Sequence, residues 1–481
     1  MEPQRHPGFS VGGRVAEARV ARFVVPAVLV LGVGLAFAAH FLATALQSGA
    51  GFAAKVACSL HFVSGQDPDA VMRDYIDHEI LGLGFLIGLE TDDRSVTAHA
   101  PFGIRARAVH RPGHGCTLLA GVAEERIVPV DPRPPFDGEI LTRFFGPEPK
   151  TGSAAVEAAI DAAFAEPDDD GSGRIRATKA VVVLHQGRVL AERYAEGYSR
   201  DTPMLSWSMA KSVMAAAVGA MVLDGRLDLK APAAVPEWQQ PGDPRGAITL
   251  DMLLRASSGL AFDETYSATN DVTRMLFTRP DTGAFAAAKP LAFAPDTHWA
   301  YSSGTSNIVS RLAVASFDHD PDAFGAFVRE RFSEPCQIRS VVFEPDAAGT
   351  PIGSSFVYMT PLDWARFGEV HRVGGICAGG RRVLPEDWVT YVTTPTPHAP
   401  QRRYGGHWWL NAGDAENPAD RFWPKLPTDA YGARGHSGQW VVVVPSAELV
   451  VVRLGLSWPD DSNDGAEQLV ADILSAVKEQ P

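Results

Sequence analysis

Basic residues are in short supply in this chain: 43 lysines and arginines stand against 57 aspartates and glutamates, for a net charge of -14. A nucleic-acid partner is excluded on that ground, because phosphate binding needs a basic surface. The 14 histidines contain no H-E-x-x-H and no comparable cluster, so a metal hydrolase is not supported and no metal or other cofactor is expected. A strand-to-helix G-x-S-x-G is also missing. Its single match, Gly8-Phe9-Ser10-Val11-Gly12, lies in a short tail and removes the α/β-hydrolase reading. No internal repeat is present. What remains is a chain of 481 residues with 46% hydrophobic and 21% charged residues, ordinary for a protein that buries a real core.

One long apolar run breaks this pattern. Phe23 to Leu46 are apolar apart from His40, Thr44 and Pro26, and about 20 such residues suffice to cross a bilayer. Arg5, Arg14, Arg19 and Arg22 precede the run and put its N-terminal side in the cytoplasm. The expected organisation is a cytoplasmic tail (1–22), a transmembrane signal-anchor (23–46), a small extracytoplasmic β-rich segment (47–150) and a main domain (151–481). Ala43-Thr44-Ala45 also fits a signal-peptidase site, so cleavage competes with retention; both put the rest of the chain outside the cytoplasm, in the periplasm. A disulfide between Cys58 and Cys116 suits such a compartment. Cys336 and Cys377 read as buried free thiols.

Short alternating stretches broken by Gly and Pro between Ser95 and Gly121 predict strands and turns. Ser153 caps an expected helix over 153–167. "AVVVLHQGRVLAERYAEGY" reads as a hairpin turning at Gln186-Gly187, and "QWVVVVPSAELVVVRLGLS" as another turning at Pro445-Ser446. Helical pieces fill the region between, and an amphipathic helix closes the chain. Sheet hairpins, a helical insertion and a closing helix predict α/β or α+β layers with a separate helical lobe.

With only eight lysines, the spacing S-x-x-K still occurs twice, at Ser208/Lys211 and Ser475/Lys478. The second copy sits in the last turn of the terminal helix, where lysine answers the helix dipole. Ser208 instead opens a helix whose next turns are almost wholly apolar, with Lys211 on the same face. Burial and the helix N-terminus both depress the pKa of such a lysine. A neutral amine beside a serine hydroxyl is a general base, which activates serine without histidine.

Two further elements carry chemistry. In "WAYSSGTSN", Tyr301 is placed to pass a proton to a leaving group, with Ser303 two residues on. In "GARGHSGQWVVVV", His436-Ser437-Gly438 leads into a strand, and the Gln439 amide with that of Ser208 is a candidate oxyanion hole.

The order S-x-x-K, Y-x-S/N and [KH]-[ST]-G resembles the serine β-lactamase and penicillin-binding protein superfamily, most of all its class C-like branch of related serine hydrolases, family VIII esterases and 6-aminohexanoate-dimer hydrolases. "GRLDLKAPA", "LLRASSGL" and "SSFVYMTPLDWARFG" support it, and the resemblance runs from about Ser153 to Lys478. It implies a β-lactamase/transpeptidase-like fold, an antiparallel sheet flanked by helices with an all-helical lobe. It also implies Ser208 as acylated nucleophile, Lys211 as its base, Tyr301 as proton shuttle, and His436-Ser437-Gly438 as the substrate-binding strand. His436 stands where β-lactamases and carboxypeptidases usually place a lysine that holds a substrate carboxylate, and Ser303 stands where Asn is usual. Both departures point toward small ester or amide substrates. A D-Ala-D-Ala carboxypeptidase, a class C-like β-lactamase and a non-catalytic binding protein of the same fold are the alternatives.

Overall fold

The computed structural model describes residues 12–80, 84–130, 153–168, 171–414, 416–417, 419–459 and 465–478. The first part of the expected cytoplasmic tail therefore lies outside the described residues. One helix then runs from Gly12 to Phe62, well past residue 46. Its two halves differ in surroundings. Leu31, Val33, Leu35, Phe37 and Phe41 are exposed, whereas Ala50, Ala53, Ala54, Val56 and Ala57 are fully buried. This helix is long and apolar enough to cross a membrane, but its C-terminal third is a core element of the folded body. The small residues of "GAGFAAKVACS" let the helix continue and pack closely, and the strands and turns expected between Ser95 and Gly121 follow it.

Four antiparallel strands lie against that helix in the order β1 (Gly88–Thr91), β2 (Ser95–Ala100), β3 (Ile104–Arg111) and β4 (Gly115–Leu118). Cys58 on the helix is disulfide-bonded to Cys116 on β4, with Cα atoms 6.1 Å apart. Cys336 and Cys377, expected as free thiols, are also joined, across 4.8 Å between Cα atoms. Their separation of 41 residues offered no local cue; packing of the loops after two helices brings them together.

The main sheet has six antiparallel strands: β5 (Thr178–His185), β6 (Arg188–Tyr194), β10 (Trp409–Leu410), β11 (Tyr431–Gly435), β12 (Gln439–Val444) and β13 (Leu449–Gly455), in the order β10-β11-β12-β13-β5-β6. Both expected hairpins are present, the first turning at Gln186-Gly187 with positive φ at both residues. Strand periodicity sorts the side chains. Val181, Val183, Trp440, Val442, Val444 and Val451 face helices Ala154–Phe164 and Ala466–Lys478. Val182, Leu184, Val441, Val443, Val450 and Val452 face the larger core shared with Met209–Leu223 and Pro361–Arg372. A small sheet, β7 (Met204–Leu205), β8 (Val342–Phe343) and β9 (Val357–Met359), anchors the start of the Met209–Leu223 helix. Helices between residues 250 and 328 form the helical lobe. Ser153 caps its helix through the Val156 amide, as its sequence implies.

The N-terminal helix and β1–β4 share their core with the main body. At the centre of the joint Lys55 Nζ lies 2.5 Å from Glu344 Oε2, both side chains wholly inaccessible. Ser59 Oγ donates to the same carboxylate at 2.9 Å and the Cys116 amide donates to its other oxygen at 2.6 Å, while Lys55 also donates to the Cys116 carbonyl. Every oxygen of Glu344 is thus answered, as a buried charge requires. Breaking one partner of a buried pair costs about 3–5 kcal/mol. Lys55→Met or Glu344→Gln is therefore expected to lower Tm by many degrees in thermal melts, and the double variant Lys55→Met/Glu344→Leu to recover part of that loss; single variants that melt like wild type would refute this account of the joint.

Candidate active site

Ser208 occupies the N-cap position of the Met209–Leu223 helix, a place where serine usually accepts a hydrogen bond from a helix amide. Here its side chain makes no such bond. Instead the Lys211 Nζ lies 3.0 Å from Ser208 Oγ. The chain reaches this position through Trp207, which has φ +44°. Such a left-handed residue is strained for a bulky side chain and persists only where its surroundings hold it. Ser206 does so: its amide donates to the Val357 carbonyl of β9, and its hydroxyl accepts from the Val357 amide and reaches the Trp207 and Ser355 carbonyls. The Trp207 indole donates to Tyr75 Oη at 2.7 Å.

Lys211 is almost wholly buried, and its amine sits where three elements meet. It is 3.0 Å from each of Ser208 Oγ, Ser303 Oγ and the Ser354 carbonyl. It also lies 4.8 Å from the centroid of the Tyr301 ring, which packs edge-on against Tyr404 and beside Trp409. Burial brings the Lys211 pKa down to about 8, with Glu264 pulling the other way. Glu264 itself is raised above the usual carboxylate range by desolvation, opposed by Lys211 and by two hydrogen bonds from Ser303. Those bonds are 2.7 Å from the Ser303 amide and 2.5 Å from its hydroxyl.

The tripeptide Tyr301-Ser302-Ser303 has a division of labour set by helix-end chemistry. Ser302 caps the Ser303–Ala315 helix through the Thr305 amide at 3.2 Å. Ser303, the first helical residue, turns its hydroxyl to Lys211 and its amide to Glu264. Tyr301, just before the cap, lays its ring beside the lysine. The other S-x-x-K pair takes no part: Ser475 Oγ donates to the Ala471 carbonyl on the exposed side of the last helix.

His436, Ser437 and Gly438 form the turn joining β11 to β12, where the resemblance implied a strand. Gly435 and Gln439 pair across the hairpin, so the three residues between them must reverse the chain. Ser437 and Gly438 accordingly adopt φ +58° and +79°. A Cβ at Gly438 would lie 1.9 Å from Arg453 Nη1, which donates to the Gly438 carbonyl at 2.7 Å. Only glycine fits there. At Gly435 a Cβ would lie 2.1 Å from the Ser206 carbonyl, so the same constraint brings this hairpin against the segment that leads into Ser208. The Gln439 side chain turns onto Ser437 and Gly455 and braces the hairpin.

The structure therefore brings Ser208, Lys211, Tyr301 and Ser303 together, with the His436–Gln439 hairpin alongside. Sequence reasoning missed Glu264 and the Ser354 carbonyl. Neither has a local signal: Glu264 is 39 residues from Ser303 and reaches it only through the fold of the helical lobe. It also missed Glu79, whose carboxylate lies 2.7 Å from His436 Nε2 and 3.0 Å from Ser437 Oγ. Among the described residues no cluster of His, Cys, Asp or Glu could hold a metal ion.

This architecture is that of a β-lactamase/transpeptidase-like protein. A family model described as Beta-lactamase matches residues 161–475, and the chain belongs to that family, within the serine β-lactamase and penicillin-binding protein superfamily. More particularly, it is similar in sequence to an amide-oligomer hydrolase and in fold to a carboxylesterase. A 6-aminohexanoate-dimer hydrolase from Paenarthrobacter ureafaciens is 24% identical over 323 residues, covering 62% of this chain and 78% of the relative. Among solved structures, a family VIII carboxylesterase superposes with a TM-score of 0.51 at 16% identity, covering 67% of this chain and 98% of that one. A penicillin-binding protein homologue from Caulobacter crescentus gives a TM-score of 0.50 at 15% identity, with 68% and 99% covered. At these identities the superpositions speak for the fold. Residues before 161, including the long helix, β1–β4 and Glu79, lie outside the family match.

For a Lys211 that serves as a base, the need to be neutral sets the direction of the pH response. Activity is expected to rise as pH passes upward through about 8, where Lys211 loses its proton, and to fall below it. Glu264→Gln removes the charge that holds the proton on Lys211, so the rising limb should move down by roughly one pH unit. A kcat/KM profile with an unmoved limb in Glu264→Gln would refute the coupling.

Proposed function

We propose that the protein is a serine hydrolase that cleaves ester or amide bonds through an acyl-enzyme on Ser208. The observation that carries this reading is the buried Lys211 amine, 3.0 Å from a Ser208 hydroxyl that is not used as a helix cap. In its neutral form the amine accepts the Ser208 proton as Oγ attacks the substrate carbonyl. The amides of Ser208 and Gln439 receive the charge that develops on the carbonyl oxygen. Collapse of the tetrahedral adduct expels the alcohol or amine, which takes the proton back from Lys211 by way of the Tyr301 hydroxyl. Water then attacks the ester on Ser208, gives its proton to the same base, and releases the acid and free serine. Ser303 and Glu264 hold the lysine in place and set the proton's free energy.

Small esters and amides are the preferred substrates, D-peptides of the peptidoglycan type come second and β-lactams third. His436 supports that order, because it stands where β-lactamases usually place a lysine and its Nε2 is already engaged by Glu79 at 2.7 Å. We place the catalytic body on the extracytoplasmic side, held by the N-terminal helix. The exposed apolar stretch from Leu31 to Leu42, the upstream arginines and two disulfides support this.

Labelling with a fluorophosphonate should modify the wild type and not Ser208→Ala, and Lys211→Met should lower kcat by about 10²- to 10⁴-fold. Label that persists in Ser208→Ala, or a wild type that no fluorophosphonate or fluorescent penicillin labels, would refute the acyl-enzyme. N-terminal sequencing of the exported protein should find the apolar helix still attached; a mature chain beginning soon after Ala45 would show a cleaved signal peptide instead.

A further inference from the structure

The hairpin turn beside Ser208 already holds a carboxylate, and it comes from this chain. Residues Pro68 to Glu79 form short helical turns after the long N-terminal helix, and they lie along the site. One Glu79 oxygen is 2.7 Å from His436 Nε2 and the other accepts from Ser437 Oγ at 3.0 Å. The donors are arranged in series. The Trp207 indole donates to Tyr75 Oη at 2.7 Å, Tyr75 lies 3.2 Å from Ser437 Oγ, and Ser437 donates to Glu79. Trp207 Nε1 can only donate, so each hydroxyl in turn passes its hydrogen toward the carboxylate.

The same groups border the nucleophile. Trp207 precedes Ser208 in the chain and packs edge-on against the His436 ring at 5.5 Å. Tyr266 stacks on the imidazole, parallel to it at 5.8 Å. Tyr75 and Ser437 are buried, and Glu79 and His436 keep only small accessible fractions. The series therefore ends on an anion at the His436–Gly438 turn, and the anion is internal.

We infer that Glu79 is a specificity-determining residue that fills the carboxylate position of the acyl site and so selects substrates that are neutral or cationic where they face the His436–Gly438 turn. A substrate carboxylate arriving there would find its donors taken and a like charge in place, with little water to screen the two. A carboxamide, an ester or an ammonium group would meet no such repulsion, and an ammonium would gain a partner. This assignment rests on the acyl-enzyme reading above, and it concerns a residue outside the part of the chain that the family shares.

The test uses two p-nitrophenyl esters of nearly equal shape, that of glutaramic acid, ending in a carboxamide, and that of glutaric acid, ending in a carboxylate. The readout is the ratio of their kcat/KM values at pH 8, in the full-length protein, with Ser208→Ala subtracted as background. Wild type is expected to favour the carboxamide ester by at least about tenfold. Glu79→Gln should raise the carboxylate-to-carboxamide ratio by about tenfold or more, and Glu79→Asp should keep it near wild type. A wild type that favours the carboxylate ester overturns the assignment without any variant, which covers a Glu79→Gln that fails to fold. Ser208-dependent turnover with a ratio that Glu79→Gln leaves within about twofold overturns it as well. Loss of all Ser208-dependent turnover in wild type overturns the acyl-enzyme reading and this one together.

Discussion

Lys55 and Glu344 form an ion pair with no access to water, and the relation between the N-terminal segment and the hydrolase body depends on it. Two unlike charges removed from solvent stay together only if every remaining lone pair and proton is answered. Here Ser59, the Cys116 amide and the Cys116 carbonyl answer them. The adjacent disulfide holds the same strand to the same helix. Phe52, one turn earlier on that helix, stacks on Trp207. A segment outside the family match is thereby joined rigidly to the residue before the candidate nucleophile.

The consequence is a site with two layers of different origin. Ser208, Lys211, Tyr301 and Ser303 come from the family fold and cluster where the Met209–Leu223 helix, the Ser303–Ala315 helix and the Ser354 backbone converge. Tyr75 and Glu79 come from the N-terminal segment and close on the opposite hairpin. The first layer supplies a buried amine whose pKa burial lowers; the second supplies a carboxylate bonded to His436 and Ser437. The placement of Trp207 in a left-handed conformation serves both, since it presents Ser208 to Lys211 and its own indole to Tyr75.

Much of this was legible in advance where the physics is local. Alternating valines gave both hairpins of the main sheet, because adjacent residues on a strand face opposite sides. Ser153 and Ser302 sit at helix starts because a serine oxygen satisfies an exposed amide there. The pair Ser208/Lys211 stood out from Ser475/Lys478 because one helix is apolar on all sides and the other on one face only. The apolar run over 23–46 reads as an anchor; that its helix goes on to Phe62 was not legible, because burial in protein and burial in lipid select the same small and apolar residues. Cys336 and Cys377 were read as separate thiols because nothing within either loop reports the other.

The amino-acid sequence by itself determined the superfamily and much of the strand and helix pattern, and it named candidate reacting groups on them, since each depends on residue types at short, regular spacings. The tertiary structure decided what surrounds those groups. Glu264 reaches Ser303 across 39 residues, and Glu79 reaches His436 across 357. The electrostatics of a site is set by distance through space in a medium that screens poorly, and separation along the chain carries no information about that distance until the chain is folded.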